Sequence, residues 1–208
     1  MKDIITKNSF YAAWEYEKEE LALNEASEKG LQLIKGGCFH SKFRMDNSVL
    51  YIYQLDYNTK IGDPVRYREV FEEQGWEYIN STFNGWHYFR KLYKAGMDES
   101  ETHIYTDMQS LQEMQNRWLT LLTILDIISI VFCISYLYLG ISRNMISIIA
   151  EGAVFSIMVL TISLAIINAK RKRSGKKGVF TIPLQVVLPL LLVAFGVILV
   201  FLIAGPID

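Results

Sequence analysis

The sequence predicts an α+β domain followed by three membrane helices, and three observations carry that reading. Hydrophobicity is divided unevenly along the 208 residues, with long apolar runs confined to the second half. Charge divides the same way: residues 1–117 hold 14 Lys/Arg against 19 Asp/Glu, and residues 118–208 hold 7 against 3. In the polar half, a charged helical run followed by short alternating runs occurs twice, which indicates helices packed on a sheet.

The polar half is assigned to a domain of residues 1–108 with an internal repeat, about 12–57 and about 63–107. "LALNEASEKGLQLIKGGCFHSKFR" (21–44) and "YREVFEEQGWEYINSTFNGWHYFRK" (67–91) share an order of features. Each has a charged helical run, a glycine, a short strand, a turn and an aromatic-His strand ending in a cation. Gly30 aligns with Gly75, Phe39-His40 with Trp86-His87, and Arg44 with Lys91 or a near neighbour. "VLYIYQLDY" (49–57) is a further alternating strand, and "THIYTD" (102–107) echoes its centre. Each unit therefore reads αβββ, and the expected domain is a mostly antiparallel sheet with both helices on one face.

Local signals fix the helix ends. Asp63-Pro64 supplies an N-cap oxygen and a proline at the first helical position, where the missing N–H costs nothing. Gly30 and Gly75 stand where a left-handed residue ends a helix. "DMQSLQEMQNRW" (107–118) has neither Gly nor Pro, can be capped by Asp107, and repeats Leu111, Met114 and Trp118 at helical spacing. A stiff juxtamembrane helix over 107–117 is expected to join the two halves.

The blocks "EKEELALNEASEKGLQL", "YIYQLDY", "YREVFEEQGWEYI", "GWHYFRK" and "IYTD" resemble, in order, the bacterial family catalogued as number 2812 among the domains of unknown function. The resemblance covers roughly residues 10–110. Members occur mostly in Firmicutes, often beside PadR-like transcriptional regulators, so the resemblance implies a bacterial, regulatory setting. It transfers no catalytic residue, because the family has none established.

In the second half, Trp118–Leu139 is 22 residues long and would span about 33 Å as a helix, enough for a hydrocarbon core of about 30 Å. Residues 146–168 and 183–204 are read as the second and third spans. The basic loop 169–182 between them contains "KRKRSGKK", with Lys170, Arg171, Lys172, Arg173, Lys176 and Lys177. The positive-inside rule places that loop, and with it the N-terminal domain, in the cytoplasm and the C-terminus outside. No signal peptide is expected ahead of the domain. The result is a multi-pass protein of the bacterial plasma membrane, with lipid as one partner; the same six cations can also contact anionic headgroups.

Candidate sites are weighed against simpler readings. His40, His87 and His103 lack a carboxylate or cysteine at ligand spacing, so outward strand positions are preferred and no metal or cofactor is expected. Trp76, Tyr78, Trp86, Tyr88 and Phe89 read first as a cross-strand aromatic ladder. If helices cover one sheet face only, Tyr51, Tyr53, Tyr57, His87 and Phe89 form an exposed protein-docking surface. Within the apolar runs, Asp126 and Glu151 are costly unless they face protein or water. They form an acidic pair in a transport path, or a helix contact; three helices would transport only as an oligomer or with a partner permease. "GAVFS" (152–156) is a small-xxx-small pattern suited to helix packing.

The sequence contains no G-x-G-x-x-G, P-loop, G-x-S-x-G or H-E-x-x-H, and no enzyme activity is expected. The acidic domain argues against nucleic acid as a partner. The expectation is a regulatory or sensor membrane protein whose cytoplasmic domain docks a protein partner. The alternative is an accessory subunit of a transporter or permease that uses Asp126.

Overall fold

The computed structural model describes residues 4–142 and 146–177, with the backbone alone for 146–151 and Val154. The chain forms two compact units, Met1–Trp118 and Leu119–Asp208. The third apolar run, 183–204, lies outside the described residues, as does the side chain of Glu151.

In the first unit the elements are β1 (Ile4–Asn8), α1 (Tyr16–Glu28), β2 (Leu31–Lys35), β3 (His40–Met45), β4 (Tyr51–Tyr57), α2 (Pro64–Glu72), β5 (Glu77–Ser81) and β6 (Trp86–Leu92). Then α3 (Met108–Ser142) begins. The strands make two antiparallel three-stranded sheets, β1-β3-β2 and β4-β6-β5. This is an α+β domain, but its phase differs from the expected αβββ. Chain order runs β-α-β-β twice, and the strand before each helix pairs with the second strand of the hairpin that follows it. β4 closes no sheet with β2 and β3; it opens the second sheet.

Residues 102–107, expected as a last strand, form none: Glu99–Thr102 is a 3-10 turn and the next residues are irregular. The reason lies at the free edge of β4. Side chains of α1 at helical spacing satisfy its outward N–H groups: Ser27 Oγ accepts from Tyr51 (2.9 Å), Asn24 Oδ1 from Tyr53 (2.6 Å) and Glu20 Oε1 from Leu55 (2.8 Å). An edge already capped by a helix offers no ladder to a further strand. Ile104 instead plugs the core as a single side chain, its N–H donating to Gln54 Oε1 at 2.9 Å.

The helices also do not share one face. Tyr67 and Phe71 of α2 pack on Phe89. On the opposite face, Tyr16 of α1 stacks on Trp86 at 5.5 Å and Glu19 accepts from the Tyr88 hydroxyl at 2.7 Å. The second sheet is therefore covered on both sides.

Sequence capping signals are realised locally. Asp63 Oδ1 accepts from the N–H groups of Val65 (2.9 Å) and Arg66 (3.1 Å), with Pro64 opening α2. Gly30 and Gly75 end their helices at φ 77° and 83°, where a side chain would be strained.

The second unit contains the rest of α3 and α4 (Ile146–Arg173). Among the described residues, α3 is the one helix long and apolar enough to cross a membrane. α4 coincides with the second apolar run and carries Lys170, Arg171, Lys172 and Arg173 in its last turn, where cations offset the helix dipole. Lys176 and Lys177 follow, exposed.

Candidate functional site

The two sheets of the first unit meet along β2 and β5 without pairing as strands. Each of these strands carries a bulge at an equivalent place, between Leu33 and Lys35 and between Tyr78 and Asn80. Side chains make the junction. Asn80 accepts from the Gly36 N–H at 2.8 Å and donates to the Gly36 carbonyl at 2.9 Å. The Tyr53 hydroxyl accepts from the Leu33 N–H at 2.9 Å and donates to Gln32 Oε1 at 3.1 Å. Burial pushes that phenol up to about 12, so it stays protonated and able to donate.

Beside this junction lies a cleft of about 360 Å³, lined from the first sheet by Gln32, Arg44 and Asp46 and from the second by Tyr51, Glu77, Tyr78 and Arg90. Strand register explains the convergence: Gln32 faces Arg44 across β2 and β3, as Glu77 faces Arg90 across β5 and β6. Arg90 donates twice to Glu77, at 2.8 and 2.6 Å, and lies over the Tyr51 ring at 4.4 Å. Gln32 is tied back by its own amide, which donates to the carbonyls of Asp46 (3.1 Å) and Val49 (3.0 Å).

A second polar centre sits on the other side of the second sheet. The Asp56 carboxylate, 1% exposed, accepts from the Tyr67 and Tyr105 hydroxyls and, at 3.0 Å, from the Arg117 guanidinium. Burial, then the Asp56 charge, holds both phenols protonated. Arg117 belongs to the first turns of α3, whose Met114 and Trp118 are buried and whose Gln115 donates to the Tyr16 hydroxyl at 2.9 Å. The start of α3 is thus part of the domain's core.

The expected docking face is corrected by these contacts. Tyr53, Tyr57, His87 and Phe89 are all buried, at most 6% exposed, because the second sheet has both faces covered. Only Tyr51 keeps partial access, at the cleft. Trp76, Trp86 and Tyr88 are core residues. The three histidines are not brought together. His40 is exposed opposite Asn8, His103 is exposed near Gln54, and His87 is buried with its Nε2 2.8 Å from the Asn58 carbonyl. Register makes Arg90, the neighbour of Lys91, the counterpart of Arg44, and it shifts the other expected alignment by one, setting His40 against Trp86 and not His87. Among the described residues no group of three or more His, Cys, Asp or Glu could hold a metal ion.

Three features that bear on partners were not legible. The β2–β3 and β5–β6 turns adjoin, with the Cys38 thiol donating to Asn84 at 3.5 Å, and they carry Phe39 and Phe83. Arg44 and the Glu77–Arg90 pair converge through strand register, which the repeat alignment did not give. The link from Asp56 to Arg117, 61 residues apart, left no local signal.

In the second unit, Asp126 is buried and its Oδ2 accepts from Ser163 of α4 at 2.6 Å. Gly152 and Ser156 of the small-residue pattern meet Leu137 and Cys133 of α3. These are contacts between neighbouring helices.

Comparison with curated proteins found no match, and neither did comparison with solved structures. Residues 15–127, from the turn before α1 into the apolar part of α3, match one family, and the chain belongs to it: protein of unknown function (DUF2812).

Proposed function

We propose that the chain is a membrane-associated, non-enzymatic regulatory or sensor protein whose N-terminal domain docks a protein partner. The observation that carries this reading is a pair of exposed aromatics on adjoining turns: Phe83 is 90% exposed and Phe39 61%. Phe39 stacks on Phe10 at 5.6 Å, which extends the apolar surface. A solvated phenylalanine adds nothing to the fold, and several together make a docking patch. Because α3 starts inside the domain core and continues through an apolar stretch, partner and membrane act on one continuous helix. Three spans, a cytoplasmic domain and an outside C-terminus belong to the same proposal; the spans rest on the three apolar runs and the orientation on the basic segment 170–177.

A photocrosslinker at position 83 of the full chain, in its native membrane, tests the docking patch. A discrete adduct that disappears on adding Phe39→Ser, at unchanged protein abundance, is expected. Absence of any adduct, or one indifferent to that change, removes the reading. The transporter-subunit alternative has its own test, since Asp126→Asn preserves an oxygen for Ser163. A transport phenotype that collapses in Asp126→Asn and Glu151→Gln would favour it.

A further inference from the structure

The cleft between the sheets has an asymmetry in charge that its topology does not require. In the second sheet Arg90 is neutralised by the carboxylate opposite it, Glu77, through two hydrogen bonds. In the first sheet the residue opposite Arg44 is Gln32, an amide, and that amide is spent on Asp46, Val49, Ser27 and Tyr53. Asp46, the other acid lining the cleft, turns its Oδ1 to the Ser48 N–H at 3.1 Å and the Ser48 hydroxyl at 2.5 Å. Among the described residues the Arg44 guanidinium makes no hydrogen bond or ion pair. One guanidinium, on an open cleft, is left without a counter-charge.

We propose that this cleft binds a small organic monocarboxylate, with Arg44 taking the carboxylate and Tyr51, Ile34 and Ile79 taking the body. The planar fork of arginine matches a carboxylate bidentately, and the same arrangement is already made inside the cleft by Arg90 and Glu77. The charge count selects the class. One uncompensated cation suits one negative charge, whereas a phosphate monoester brings about −1.5 to −2 at neutral pH, more than Arg44 alone offsets. The volume, about 360 Å³, sits at the small end of ligand pockets, which run from roughly 300 to 1,000 Å³. The ligand bridges both sheets, so its binding holds them in one relation.

The test uses the full chain in nanodiscs of uncharged lipid. Phenylacetate, 4-hydroxyphenylacetate and hexanoate are titrated by ligand-observed NMR, with phenylacetamide as the neutral isostere and phenyl phosphate as the dianion. Arg44 is exposed, so its variants keep the fold. At least one carboxylate should bind tenfold or more tightly than phenylacetamide and phenyl phosphate, Arg44→Gln should erase that preference, and Arg44→Lys should restore part of it. Equal binding of acid and amide overturns the proposal, as does tighter binding of the phosphate, a preference unchanged in Arg44→Gln, or no binding of any carboxylate up to about 10 mM.

Discussion

The two sheets of the N-terminal domain share strand order, a bulge at the same place and a left-handed glycine before the bulged strand, yet they differ in how many faces they bury. In β3 burial alternates, with Ser41 and Phe43 inside and His40, Lys42 and Arg44 outside. In β6 the first four residues, Trp86 to Phe89, are all buried. The first sheet is half-solvated; the second is enclosed by α1, α2, Ile104, Tyr105 and the start of α3. The same topology can therefore serve as a surface or as a core, and what decides is the number of elements laid over it.

Removing a core ring should separate the sheets most. Phe89 is fully buried among Tyr67, Phe71 and Tyr78. Phe89→Ala is expected to cost about 3–5 kcal/mol. Phe43, at the matching register of the first sheet but beside the exposed edge strand β1, should cost less, near the lower end of that range of about 3–5 kcal/mol, because its site can collapse. Denaturant unfolding followed by tryptophan fluorescence, with Trp76 and Trp86 in the second core, measures both. Equal losses would mean that the half-solvated sheet is packed as tightly as the enclosed one.

The edges offer a second contrast. The free edge of β4 is capped by α1 through Glu20, whose carboxyl is pushed up to about 8, first by burial, against the opposing pull of the Leu55 N–H. Neighbouring Glu19 is raised to about 7, also by burial, with the Tyr88 hydroxyl pulling it down. A carboxyl that holds its proton in the folded state and loses it near 4.5 when unfolded stabilises fully below that value. That contribution fades as pH rises from about 4.5 to 8. Glu20→Gln keeps an oxygen for Leu55 and cannot ionise. It should flatten the decline and leave the variant more stable than the parent at pH 8, by on the order of 2 kcal/mol. Thermal unfolding across pH 5–8 checks this, and parallel pH profiles for variant and parent would place the titration elsewhere.

The smallest difference concerns the two glycines. Gly75→Ala should cost about 1 kcal/mol through its positive φ alone. Gly30→Ala should cost more, since the added Cβ would fall 1.7 Å from Asn47 Oδ1 and Asn47 must move as well. Comparing the two melting temperatures isolates that contact.

Much of the domain was legible because its signals are local. The Asp63-Pro64 cap, the glycine stops, the alternating strands and the apolar stretch of α3 all depend on residues a few positions apart. The readings that failed depended on what lies above a strand. Period-two alternation tells that Tyr88 and Phe89 point to opposite faces, but carries no information on whether either face is covered. It is also blind to register: the second hairpin is one residue longer between its paired strands, which makes Trp86 and not His87 the counterpart of His40. The cleft suffered most, since each of its charged residues reads alone as a solvated strand position.

By itself the amino-acid sequence determined the α+β character, the ends of both short helices, the apolar helix and the family. Those follow from propensity, capping and hydrophobic period, all written in neighbouring residues. Only the tertiary structure decided the β-α-β-β phase, the burial of the aromatic faces, the place of Arg117 on Asp56 and the convergence of Arg44 with Glu77 and Arg90. These depend on which edge each strand finds free, and β4, with its outer N–H groups claimed by Ser27, Asn24 and Glu20, had one edge left to pair.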